Sequence, residues 1–241
     1  MKRTFTIIFL TLSIIANSQN IYDYEKEIGN RENYIFSEID FQNEDENIKL
    51  SGTLITPKTK FDTIILIVAG SGRDSRHTHF VLAEELLKHG IAVYRFDERG
   101  VGKSKGEYSE LVRDLSNDLG FALKKIQQTY LDKKIGIIGH SIGGIATLNA
   151  INDDIDFIVL IETPIAKNGA FLVNQFKMNY ENSLPEVMRK GKTKIEITSF
   201  LEGYIDIISK SEPNATKKEV KKYIKEKEFK KDIFYYWMTL F

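Results

Sequence analysis

Residues 134–147 read KIGIIGHSIGGIAT, and the way this stretch folds decides the rest of the chain. KIGIIG is a short, continuous apolar run, as in a strand buried on both faces, and IGGIATLNAI continues as a helix. Between them stands Gly139-His140-Ser141-Ile142-Gly143, a G-x-S-x-G spacing. A strand that turns at once into a helix holds the serine in a strained conformation, and side chains two positions either side would collide; hence the glycines. Ser141 is therefore the candidate nucleophile, against the plainer role of a serine that caps the helix. A serine hydroxyl needs a base to take its proton and donors to hold the oxyanion it generates. All four histidines, His77, His79, His89 and His140, precede Ser141 in the chain.

Outward from this centre, the chain alternates. TIILIVAGSG (63–72), IAVYRFDERG (91–100) and DFIVLIETP (156–164) are β-branched runs that read as buried strands. HFVLAEELLKHG (79–90) places Phe80, Ala83, Leu86 and Leu87 on one stripe, with Gly90 as a stop. Leu111, Leu115, Leu119, Ala122, Leu123, Ile126 and Tyr130 follow a 3.6-residue period. Strand–helix alternation from 63 to 164 predicts parallel βαβ units with right-handed crossovers. Upstream, YIFSEIDFQ (34–42) and IKLSGTLITP (48–57) flank a polar turn and predict an antiparallel hairpin. Beyond Pro164 the alternation stops. Ile197, Phe200, Leu201, Tyr204, Ile205 and Ile208 mark an amphipathic helix, and Thr216-x-x-Glu219 reads as a capping box that opens another.

The 241 residues carry 34 Lys+Arg and 34 Asp+Glu, so no net charge points to nucleic acid or an anionic surface. Residues 165–241 hold 15 lysines and arginines against 10 acidic residues, which we read as solvated helix faces. At the N terminus Lys2 and Arg3 precede an apolar run from Phe5 to Ala16, then Ala16-Asn17-Ser18. That is the pattern of a secretory signal cleaved after Ser18, and the run is too short for a stable membrane span. We expect an exported protein with residues 1–18 removed. Without cysteine, neither a disulfide nor a cysteine-linked lipid anchor forms. His77-x-His79 lacks carboxylates at ligand spacing, and no metal or other cofactor is implied. GVGKS (100–104) resembles the end of a phosphate loop, but its first glycine position is Asp97, which repels phosphate.

Three of these segments together resemble the α/β-hydrolase family: GHSIGG the nucleophile elbow, VAGSG the loop after the third strand, and FDERGVGKS the turn after the fourth. The resemblance covers roughly residues 34–241, and the leading hairpin with its GSGRD turn looks like that of peptidase- and esterase-like members. It implies an α/β fold with a mostly parallel sheet, a hydrolase core over 19–164 and a helical cap over 165–241. It also implies backbone N–H groups of Ser71 and Ile142 as oxyanion donors, and a small acyl substrate, with a carboxylic ester or an amide both open. The family order is serine, then acid after the seventh strand, then histidine after the eighth. Neither strand is found before Phe241, so the sequence reads as truncated, its sixth strand left as an apolar edge that a partner chain could cover. Glu162, at the end of the sixth strand, is the candidate acid within these residues, and His77 or His79 the candidate base. The alternative is a non-catalytic module of the same fold. Sequencing the gene through the codon for Phe241 checks the truncation: we expect an open frame that supplies two strands, an acid and a histidine, and a stop codon there overturns it.

Overall fold

In the computed structural model, residues 27–165, 174, 177–178, 191–210 and 213–229 are described. The proposed signal segment and the terminal FYYWMTLF lie outside them. The chain divides into two compact units, 1–163 and 164–241.

The first unit is built on one six-stranded sheet. Its strands are β1 (Tyr34–Asn43), β2 (Ile48–Pro57), β3 (Thr63–Val68), β4 (Ala92–Phe96), β5 (Lys134–His140) and β6 (Phe157–Ile161), in the order β1-β2-β4-β3-β5-β6. The hairpin pairs antiparallel from Tyr34↔Pro57 to Asn43↔Ile48, and β2 also runs antiparallel to β4. From β4 onward every pair is parallel. Helices α1 (Phe80–Lys88), α2 (Val112–Thr129) and α3 (Ile142–Ala150) make the crossovers.

The apolar runs of the central strands exist because both faces are covered. Ile64, Leu66 and Val68 of β3 face a core that includes Tyr94, Ile135 and Ile137 and is closed by Leu119, Ala122, Leu123 and Ile126 of α2. Ile65 and Ile67, one residue out of phase, join Ile55, Val93 and Ile138 under Ala83 and Leu87 of α1. Each side chain so buried contributes about 1.5–3 kcal/mol. A one-residue slip of β3 would exchange the two faces, so the register is fixed by both. Every crossover leaves its strand at the same end, which gathers the loops after β3, β4, β5 and β6 along one rim.

The second unit contains α4 (Lys194–Lys210) and α5 (Pro213–Glu226). Ile197, Phe200, Leu201, Tyr204, Val220 and Ile224 are buried there, and the Phe200 ring stacks on Tyr223 at 5.4 Å between centroids. The expected capping box is displaced. The helix of Thr216 begins three residues earlier, at Pro213, whose fixed φ suits a first turn. The reciprocal bonds form instead at the head of α4. Thr193 N–H donates to Glu196 Oε2 at 2.7 Å, and Glu196 N–H donates to Thr193 Oγ1 at 3.3 Å.

Strand β6 is an edge of the sheet, with Phe157 and Val159 exposed by 38% and 43%. Such an edge offers unpaired backbone groups to another chain. We expect concentration-dependent self-association that Val159→Lys lowers, measured by sedimentation velocity; a wild-type chain that stays monomeric overturns this.

Candidate functional site

Ser141 is the single residue between β5 and α3, with φ 52° and ψ −121°. A non-glycine residue held there costs on the order of 1–3 kcal/mol and persists only where its surroundings over-determine it. They do so here. Ser141 N–H donates to Ile161 O of β6 at 2.8 Å, and Gly144 N–H donates to Ser141 O at 3.0 Å. A Cβ at Gly143 would strike the carbonyl oxygens of Ala69 and Val68, and one at Gly139 would lie 2.6 Å from Gly144 Cα. Gly143 therefore lets α3 press against the end of β3, and Gly139 lets it lie close on β5. The Ser141 side chain makes no capping hydrogen bond to α3, which sets the capping role aside.

Gly70 adjoins this serine: a Cβ built on it would sit 3.3 Å from Ser141 Cβ. Ser71 follows immediately, exposed on the loop. Ile142 is the first residue of α3, so its N–H has no partner within that helix. The loop is tied down from the segment after β4. Tyr108 OH donates to Gly72 O at 2.7 Å, the Arg73 guanidinium lies 4.8 Å from the Tyr108 ring centroid, and Glu98 N–H donates to Asp74 O at 3.3 Å. Burial, and then the charge of Asp74, pushes the Glu98 carboxyl up to about 8.

Histidine enters in an arrangement that sequence reasoning did not foresee. His79, at φ 54° before α1, places Nε2 3.2 Å from His140 Nδ1, and its Nδ1 is 3.0 Å from Thr78 Oγ1. His140 Nε2 lies 3.8 Å from Glu162 Oε2, and Glu162 is itself at φ 49°. Three non-glycine residues of positive φ, His79, Ser141 and Glu162, thus stand on one rim. Burial, then the neighbouring His140 and Arg95, holds His79 below the usual histidine value, so it is neutral at pH 7. Among the described residues no histidine is hydrogen-bonded to the Ser141 hydroxyl, and His77 joins neither ring.

The D-x-R-G turn after β4 is a structural joint. Asp97 accepts from Arg76 Nε at 3.1 Å, Arg76 Nη2 at 2.8 Å, and the backbone N–H groups of Arg76 and Lys103, each at 2.8 Å. Gly102, at φ 51°, is required because a Cβ would collide with that carboxylate. Arg99 turns the other way, its Nε 2.8 Å from Asp118 Oδ2 and its Nη2 2.9 Å from Glu46 Oε1. A carboxylate fills the place where a phosphate loop needs open backbone, which excludes the nucleotide reading. No group of three metal-ligating side chains occurs, and no helix is long and apolar enough to cross a membrane, among the described residues.

A parallel sheet with a strained serine at a strand-to-helix turn, facing the loop after β3, defines an α/β hydrolase. The chain belongs to the family described as serine aminopeptidase, S33, whose model matches residues 59–232. Among solved structures it is similar to the esterase Pf2001 of Pyrococcus furiosus, at 28% identity and a TM-score of 0.51, over 70% of this chain and 61% of the esterase. It shares its fold with hypothetical protein PA2218 of Pseudomonas aeruginosa, at 16% identity and a TM-score of 0.50, over 76% of this chain and 66% of that one. A carboxyl esterase from Bacillus coagulans aligns at 21% identity and a TM-score of 0.48, over 69% of this chain and 55% of the esterase. The chain thus spans about three fifths of the Pyrococcus protein. A comparison with curated protein sequences finds no match.

Burial alone would raise the Asp97 carboxyl, but the Arg76 and Lys103 hydrogen bonds outweigh it and hold the group below 3.8. A lowered carboxylate value means stability present above pH 3.8 and lost as the pH falls through the folded value. Asp97→Asn removes the charge that pairs buried Arg76, at a cost of about 3–5 kcal/mol at pH 7. Urea unfolding from pH 7 to 3 is expected to show that gap narrowing with acid; a constant gap contradicts it.

Proposed function

We propose that this chain is an exported serine hydrolase acting on a carboxylic ester or related acyl substrate. Ser141 Oγ attacks the acyl carbon while its proton passes to a water molecule, which later returns it to the departing alkoxide, and the carbonyl oxygen becomes an oxyanion between the N–H groups of Ser71 and Ile142. As the tetrahedral intermediate collapses, the bond to the alcohol breaks and leaves an acyl group on Ser141, which water then removes. The observation that carries this reading is the strained backbone of Ser141 with its hydroxyl unused as a cap. The similar Pyrococcus esterase favours an ester, while the aminopeptidase description of the family keeps an amide within the same acyl class. Export rests on Lys2, Arg3 and the apolar run behind them, so that the mature chain begins at Gln19.

A second reading, a non-catalytic module of the same fold, is favoured by the Ser141 hydroxyl having no histidine partner among the described residues. The two differ in reactivity. A serine of this type without its histidine loses about a millionfold in turnover, yet the elbow and oxyanion donors still keep roughly a thousandfold over water. Fluorophosphonate labelling of the 241-residue chain should therefore proceed over hours, add one adduct at Ser141, and vanish in Ser141→Ala, with the intact mass also reporting the mature N terminus. An absent adduct after prolonged exposure supports the binding module instead.

A further inference from the structure

A cavity of about 340 Å³ opens on the β1-β2-β4 side of the first unit, away from Ser141 in its lining. Its floor is one cross-strand row: Glu38 of β1 is paired with Thr53 of β2, and Thr53 with Arg95 of β4, so the three side chains share a face. Its other wall is formed by Ile28, Phe36 and Ile55, with the Arg31 guanidinium 3.8 Å from the Phe36 ring centroid.

The charges around this cavity do not cancel. Glu38 accepts from Arg76 Nη1 at 2.7 Å and Lys103 Nζ at 2.9 Å. Asp97 is paired with Arg76, and Glu27 with Arg31 at 3.0 Å. Arg95 is the remaining cation. It is only 3% exposed, donates one hydrogen bond among the described residues, Nη1 to Thr78 O at 2.6 Å, and has no carboxylate within ion-pair distance among them. Glu84 acts on it electrostatically from beyond ion-pair distance while accepting from Gly29 N–H at 2.8 Å. Burial pushes the Arg95 guanidinium down to about 10, so it stays charged at neutral pH. A buried guanidinium without a direct ion-pair partner is costly, and arginine is rarely buried unless paired.

We propose that this cavity binds a small organic monocarboxylate, its carboxylate on Arg95 and its hydrocarbon part against Ile28, Phe36 and Ile55. The guanidinium fork matches a carboxylate. One positive charge without an ion-pair partner asks for one negative charge, and a phosphate dianion would turn its second charge toward Glu38 and Asp97. The wall of Ile28, Phe36 and Ile55 takes a short aliphatic or aromatic tail. Nothing in this assignment uses Ser141, so it stands apart from the hydrolytic reading.

The test is calorimetric titration of the full chain with benzoate, benzamide and inorganic phosphate. Benzoate should bind with a Kd of about 10 mM or lower, and benzamide and phosphate at least about tenfold more weakly. In ¹⁵N spectra, benzoate should shift the amides of Thr53, Ile55 and Arg95. Arg95→Met should lose the benzoate response while melting no lower than wild type, because an apolar side chain replaces an unpaired charge. Absent benzoate binding, equal binding of benzamide, preferential binding of phosphate, shifts elsewhere in the fold, or benzoate binding retained by Arg95→Met each overturns the proposal. Should Arg95→Met fail to fold, the three ligands and the shift map on the native chain decide it.

Discussion

The constraint on which the site depends is the contact between the first turn of α3 and the end of β3. Gly143 lies so close to the Ala69 and Val68 carbonyls that no Cβ fits, and this proximity bends the chain at Ser141. It also fixes where the loop after β3 can run, because Gly70 adjoins Ser141 Cβ. Ser141 and the loop after β3 are thus brought together by backbone packing of two neighbouring parallel strands, before any side-chain chemistry is considered. The apolar double core beneath supplies the rigidity that keeps a residue at φ 52° from relaxing.

Around that centre, polar groups hold the loops. The Arg76–Asp97 pair staples the segment before α1 to the turn after β4, and Tyr108 fastens the Gly72 carbonyl from the same turn. The D-x-R-G-x-G-x-S stretch therefore shapes its neighbours. Its carboxylate and guanidinium point to opposite sides, one to the loop after β3 and the other to α2 through Asp118.

Much of this was legible in the sequence. The period-2 hairpin, the double-faced runs of β3 and β5, and the 3.6-residue stripe of α2 each announce their element, because burial pattern and geometry are the same fact. The elbow was legible because its glycines are a steric necessity. The capping box was legible as a motif but not in place: Thr193-x-x-Glu196 and Thr216-x-x-Glu219 look alike, and Pro213 decides between them only once the helix start is known. The His79–His140 contact had no local signal. It joins residues 61 apart and depends on a left-handed backbone at a histidine, which no spacing encodes. The missing ion-pair partner of Arg95 was hidden likewise, since a strand buried at every position marks the arginine as buried but does not say which acids lie near it.

One of the two backbone bonds that pin Ser141 runs to Ile161, at the end of the edge strand β6. Edges fray at free energies well below those of global unfolding. Ser141 is thus held on one side by α3, through Gly144, and on the other by the margin of the sheet. The backbone geometry of the serine is therefore tied to the stability of that margin, and whatever stiffens or caps it also stiffens the serine.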